Sequence, residues 1–170
     1  MNAGWIIEGP ACLEAGMAAL SARCPRMAEG FAALFSAIVS QQVSVASARA
    51  IWGRVAAAGL TTERAVRAAR DAELRAVGLS RPKQRYARAL ADARIDYDGL
   101  RAMTDEQVIA TLVAVPGIGR WTAEIYAMFS LGRCDIFAAG DLALQDAARA
   151  LYDLPDRPTE RQLRRMAEAW

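Results

Sequence analysis

The run Val113-Ala114-Val115-Pro116-Gly117-Ile118-Gly119-Arg120-Trp121-Thr122-Ala123 leaves a chain few ways to fold. Apolar residues at helical spacing predict one helix over Thr104 to Ala114 and another over Trp121 to Leu131. Pro116 and two glycines interrupt them, so the segment reads as helix, short hairpin, helix. Gly117 and Gly119 can adopt positive φ without a Cβ penalty, which lets the hairpin backbone approach something outside the protein. The second helix opens there with unpaired N–H groups and the positive end of its dipole, a combination that binds phosphate. A turn of this kind also serves simply to join two packed helices, and the segment alone leaves both readings open. A dinucleotide fingerprint is excluded, because Thr122 stands where the third glycine is needed and no strand precedes it.

What chemistry such a chain can carry is narrowed by what it lacks. Among 170 residues there is no histidine, which removes Ser-His and Cys-His nucleophiles and the commonest general base at neutral pH. Cys12, Cys24 and Cys134 are odd in number, widely spaced and without metal-site spacing, which points to a reducing compartment. Catalysis therefore has to rest on carboxylates. No stretch reaches the roughly 18 uninterrupted apolar residues of a membrane span, and no basic region precedes an apolar one at the start, so a soluble, cytoplasmic protein is expected. A hydrophobic fraction of 54% suffices for one domain, or for two small lobes. The net charge of +2 is too small to demand nucleic acid, so a basic footprint must come from local clustering. Only Lys83 among the 21 basic residues is a lysine, a bias that runs through the whole chain.

Taken in order, the chain is predicted to be all-α. Met1 to Gly9, with Trp5, is an apolar arm, and Pro10 starts a helix bearing Cys12, Leu13, Ala19 and Leu20 on one face. Phe31, Leu34, Phe35, Ile38 and Val39 mark a buried helix over Ala28 to Val39. The polar break Ser40-Gln41-Gln42-Val43-Ser44 follows, with Ser44 placed to cap a helix running to Gly59. Two adjacent glutamines there suit a solvent-facing turn or a loop that meets DNA. Thr61-Thr62-Glu63 and Arg70-Asp71-Ala72-Glu73 each read as the start of a short helix, and Gly78 ends the second. Ser80-Arg81-Pro82-Lys83-Gln84-Arg85 then opens a helix with three basic residues at the end where the dipole opposes them; a phosphate nearby would relieve the conflict. Thr104 and Gln107 form a capping box ahead of the hairpin. Asp141, after the loop from Asp135 to Gly140, caps a helix from Leu142 to Tyr152.

These stretches, spanning roughly Phe31 to Leu151, resemble in content and order the helix-hairpin-helix (HhH-GPD) DNA glycosylases, and most closely the bacterial 3-methyladenine DNA glycosylase II type. The signature is apolar-Pro-Gly-apolar-Gly with Thr-Ala after it, then Gly-Asp-Leu-Ala-Leu-Gln placing Asp141 22 residues beyond Gly119. The resemblance implies a two-lobed helical fold with the DNA in the cleft between lobes. One lobe would span about residues 30–135, with the hairpin at 113–123, and the other the N-terminal segment plus about 136–170. It implies a monomeric enzyme without cofactor that flips damaged bases out of double-stranded DNA and hydrolyses the N-glycosidic bond of alkylated purines. Asp141 corresponds to the catalytic aspartate. Gln42 corresponds to the residue that fills the gap in the duplex, with Ser44 on the same loop. Gly117, Gly119, Arg120 and Thr122 belong to the phosphate grip, with a sodium or potassium ion expected on the carbonyls near Val115 and Ile118. Trp121 stands where bifunctional relatives carry a Schiff-base lysine, so no lyase step is expected. Trp121, Tyr126 and Trp52 are the aromatic candidates for the walls of the base pocket.

The chemistry implied suits a histidine-free chain. Alkylation at N3 or N7 makes the purine cationic and a good leaving group, so one carboxylate can stabilise the developing oxocarbenium ion and activate water. The helix N-terminus would stabilise the negative charge of Asp141. Two departures stand out: Ala138-Ala139 replaces a proline-bearing loop, which is expected to loosen it, and the chain stops at Ala167-Glu168-Ala169-Trp170, where a further helix is expected to have been truncated. A non-catalytic DNA-binding module of the same fold, and a glycosylase for deaminated or oxidised bases, are the alternatives.

Overall fold

The computed structural model describes residues 27–169, and all regular structure within them is helical. The expected N-terminal arm and the helix at Pro10 lie outside the described residues. Nine α-helices follow: α1 Phe31–Ser40, α2 Val45–Ala57, α3 Glu63–Ala68, α4 Asp71–Ala76, α5 Arg81–Asp92, α6 Asp105–Val113, α7 Arg120–Phe129, α8 Leu142–Leu151 and α9 Glu160–Ala167. A short 3-10 turn, Gly99–Ala102, precedes α6.

Local chemistry sets most boundaries. Ser44, Thr62, Thr104, Asp141 and Thr159 each accept a backbone N–H in the first turn of the helix they precede, supplying a partner for a donor the helix leaves free. Thr104 and Gln107 exchange both bonds of a capping box, at 2.9 and 3.3 Å. The first helix begins later than its apolar pattern suggests. Gly30 adopts φ +80°, and its N–H is held by the Tyr126 hydroxyl at 2.8 Å, so Ala28 and Glu29 belong to the chain entering the helix.

The spacing of Phe31, Leu34, Phe35, Ile38 and Val39 places an apolar stripe on α1, and all five are buried. α1 packs against α2, α5 and α7, so it stands at the centre of the larger core. Burying each such side chain contributes about 1.5–3 kcal/mol. A second, smaller cluster of Ala139, Ala148 and Leu163, with Phe137 and Met166 against it, lies under α8 and α9. Trp121 and Glu124 on α7 reach from the first cluster to the elements of the second.

Candidate active site

Asp141 is the N-cap of α8, and its carboxylate is held from two directions. Oδ1 accepts from the backbone N–H of Ala143 at 2.8 Å and of Leu144 at 3.3 Å. Oδ2 accepts from the indole Nε1–H of Trp121 at 3.0 Å. Donors fixed in helices on both sides leave the carboxylate little rotational freedom.

The loop that delivers Asp141 is tight despite lacking proline, contrary to the looseness expected of its alanines. Ala138 and Ala139 are buried, the Ala138 carbonyl accepts from Asp141 N–H at 2.9 Å, and buried Gln145 donates Nε2–H to the Ala139 carbonyl at 2.9 Å. Small side chains let the loop sink into the second cluster, and hydrogen bonds then replace the stiffness of proline.

Trp121 lies in the first turn of α7, 45% exposed, so its nitrogen is engaged while much of its ring remains open. Tyr126 and Trp52, the other aromatic candidates, are placed in the core. Tyr126 is 4% exposed with its hydroxyl on Gly30, and Trp52 packs edge-on to Phe35 with ring centres 5.7 Å apart.

The hairpin joins α6 to α7 as predicted, and its two glycines differ in conformation. Gly117 is left-handed, at φ +94°, but Gly119 is extended, at φ −85°, and serves as the N-cap of α7. A Cβ on Gly117 would fall 2.6 Å from Tyr86 Cβ, whereas one on Gly119 would meet nothing within 4 Å. The Gly117 requirement is thus internal, and the protein itself places no steric demand on Gly119. Thr122 is 8% exposed. Arg120 extends its half-exposed guanidinium back to Glu124, with Nε–H donating to Oε1 at 2.9 Å. Of the carbonyls expected to hold a cation, Val115 accepts the Ile118 N–H at 3.0 Å, and Ile118 accepts nothing among the described residues. Each retains a free lone pair, and neutral carbonyl donors suit an alkali ion.

The glutamine loop meets this hairpin. Gln41 donates Nε2–H to the Gly117 carbonyl at 2.9 Å, while Gln42 stands exposed at the turn with φ +56°. Ser44 is occupied as a cap, with its Oγ 3.2 Å from the Ser47 N–H. Val43 and Val45 beside it are exposed, at 38% and 76%. A groove of about 540 Å³ runs between Gln42, the Gly117–Gly119 turn and the start of α5 at Ser80, Lys83 and Tyr86. Lys83 does not wait there for a phosphate: its Nζ donates to the Val39 carbonyl at the end of α1, at 2.6 Å, and burial lowers its pKa.

Two features escaped the sequence. Gln41 could not be told from Gln42 by composition, because which amide turns inward depends on the loop's path. Glu124 is 1% exposed inside α7, and its Oε1 accepts from both Arg120 and Arg164 at 2.9 Å. A charged residue between Ala123 and Ala127 on a mostly buried helix was the available signal.

Known proteins resemble this chain in sequence and fold. The chain is 31% identical over 141 residues to DNA-3-methyladenine glycosylase 1 of Schizosaccharomyces pombe, which covers 78% of this chain but 62% of that protein. The chain thus spans about three fifths of that relative's length. The crystal structure of a DNA-3-methyladenine glycosidase from Bacillus halodurans superposes with a TM-score of 0.78 at 36% identity, covering 87% of this chain and 71% of that one. The S. pombe 3-methyladenine DNA glycosylase Mag1, solved in complex with abasic DNA, gives 0.70 at 30% identity, over 86% and 75% of the two chains. The sequence profile of the HhH-GPD superfamily base excision DNA repair proteins matches residues 35–170, and the chain belongs to this family.

Proposed function

We propose that the protein is a monofunctional DNA glycosylase that flips alkylated purines of the 3-methyladenine and 7-methylguanine type out of duplex DNA and hydrolyses their N-glycosidic bond. The observation that carries this reading is the Asp141 carboxylate, oriented by α8 and by Trp121 beside an open indole face. A binding module gains nothing from a carboxylate aimed in this way. A cationic alkylpurine stacked on the indole face would gain cation–π attraction that a neutral base lacks. As the glycosidic bond breaks, the fixed negative charge stabilises the oxocarbenium ion, and the same carboxylate accepts a proton from the attacking water. The chain's one lysine, Lys83, is bonded to the Val39 carbonyl in the hairpin groove, which supports hydrolysis over a Schiff-base route.

The duplex would be held by the backbone N–H groups opening α7, with Gly119 allowing close approach and the Val115 and Ile118 carbonyls suited to sodium or potassium. Gln42, exposed at the tip of its loop, would enter the gap left by the flipped nucleotide. The named relatives, one of them solved on abasic DNA, support damaged DNA as the partner.

Asp141→Asn tests the reading, because asparagine keeps the helix cap and the fold. Release of alkylpurine from alkylated duplex should fall by about 10²–10³-fold or more, while abasic-duplex affinity stays within a few fold. Unchanged release by the variant would overturn the mechanism. A panel of duplexes carrying alkylated, deaminated or oxidised bases assigns the lesion, and preferential release of a neutral base would overturn the alkylpurine assignment.

A further inference from the structure

The basic helix start Ser80–Arg85 is split by the fold into two unlike halves. Lys83 turns toward the hairpin groove and caps α1. Arg81 and Arg85, one helical turn apart, turn the other way, onto a groove of about 490 Å³ between α4 and α5 that Arg75, Arg88 and Asp71 also line. Arg88 is neutralised there by Asp71 at 2.7 Å. Arg75, Arg81 and Arg85 are exposed and make no ion pair or hydrogen bond among the described residues. Four arginines against one aspartate leave the groove a net +3, more than the +2 of the whole chain.

As a structural arrangement this is unfavourable. Like charges at i and i+4 repel, and these two also sit at the positive end of the α5 dipole. Nothing among the described residues offsets them, so the arrangement calls for an external anion. Its position says which one. Pro82 lines both this groove and the hairpin groove, so the arginines continue the surface that carries Gln42 and Gly117–Gly119. Arginine forks match phosphodiester oxygens, and they do so without reading sequence.

We infer that the α4–α5 groove binds a second stretch of phosphate backbone of the duplex held at the hairpin. This rests on the DNA-binding reading above. The site lengthens the electrostatic footprint and adds salt-dependent, sequence-independent affinity to an otherwise nearly neutral protein.

The test is the salt dependence of binding to an undamaged duplex. Each neutralised phosphate contributes about 0.9 to the slope of log K against log salt. The double variant Arg81→Gln/Arg85→Gln should lower that slope by about 1–2, and its Tm without DNA should stay level or rise, because a repulsion has been removed. The Tm readout separates binding from folding. Arg149→Gln, an exposed charge on α8 outside both grooves, should leave the slope where it was. An unchanged slope in the double variant, or an equal loss in the Arg149 variant, would overturn the groove while leaving the hairpin reading intact. Failure of the wild-type protein to bind duplex at all would instead overturn the reading beneath it. Inorganic tripolyphosphate is the competing probe. If it binds the wild type but not the double variant while the DNA slope is unaltered, the groove takes free polyphosphate and the DNA assignment falls.

Discussion

The indole Nε1 of Trp121 donates to Oδ2 of Asp141 across 3.0 Å, joining the first turn of the hairpin's second helix to the cap of α8, 20 residues further along the chain. One side chain thereby orients the carboxylate and presents the exposed ring on which a base can stack.

Trp121→Phe keeps a ring but removes the donor. A hydrogen bond to a charged group contributes about 1.5–3 kcal/mol, so single-turnover base release should fall roughly 10- to 100-fold. Binding to abasic duplex should hold within a few fold, since the hairpin is untouched. Base release at the wild-type rate would show that α8 alone orients Asp141.

The two hairpin glycines should separate stability from binding. Gly117→Ala forces a left-handed φ and a clash with Tyr86, costing roughly 2–4 kcal/mol, which calorimetry should record as a Tm lower by about 5–15 °C. Gly119→Ala has an ordinary φ and empty space, so its stability should stay within about 0.5 kcal/mol of wild type. Its duplex affinity should nevertheless drop about tenfold or more, because the methyl group stands where a phosphate approaches the helix N-terminus. Wild-type affinity in this variant would rule out that approach.

Glu124 fastens α9 to α7. Arg164, whose side chain is 32% exposed, bonds Glu124 at 2.9 Å and also Glu160 within α9. Glu124→Gln keeps the shape but loses the charge. With both arginines partly in water, the expected loss is about 1–2 kcal/mol. Amide exchange across Glu160–Ala167 should then quicken by roughly 5- to 30-fold. Exchange unchanged in α9 would mean that the small apolar cluster holds the helix without the ion pair.

Alkaline pH should weaken the fold through two buried phenols. Burial raises the pKa of both Tyr97 and Tyr126 above the ordinary tyrosine value. A group raised on folding stabilises fully below its unfolded pKa, so this contribution is intact below about pH 10 and lost as the pH climbs toward the folded-state values. Urea unfolding midpoints should fall above about pH 10, and Tyr97→Phe should flatten that decline. An identical alkaline profile in the variant would exclude Tyr97 as a source.

What the sequence determined unaided is the part of the protein that acts over short range. Ser44, Thr62, Thr104 with Gln107, and Asp141 cap helices because each partner lies within three residues, and the stripe on α1 is read from spacing alone. The hairpin and the place of Asp141 were legible for the same reason, and they carried the family with them. Packing between distant helices decided the rest. It turned Gln41 onto Gly117, 76 residues away, and left Gln42 outside. It drew Tyr126 and Trp52 into the core, extended Gly119, and sent Lys83 to one groove and Arg81 with Arg85 to another. Capping and periodicity are properties of adjacent residues. The direction a long side chain takes depends on which acceptor another helix brings within reach, and only the folded chain supplies that.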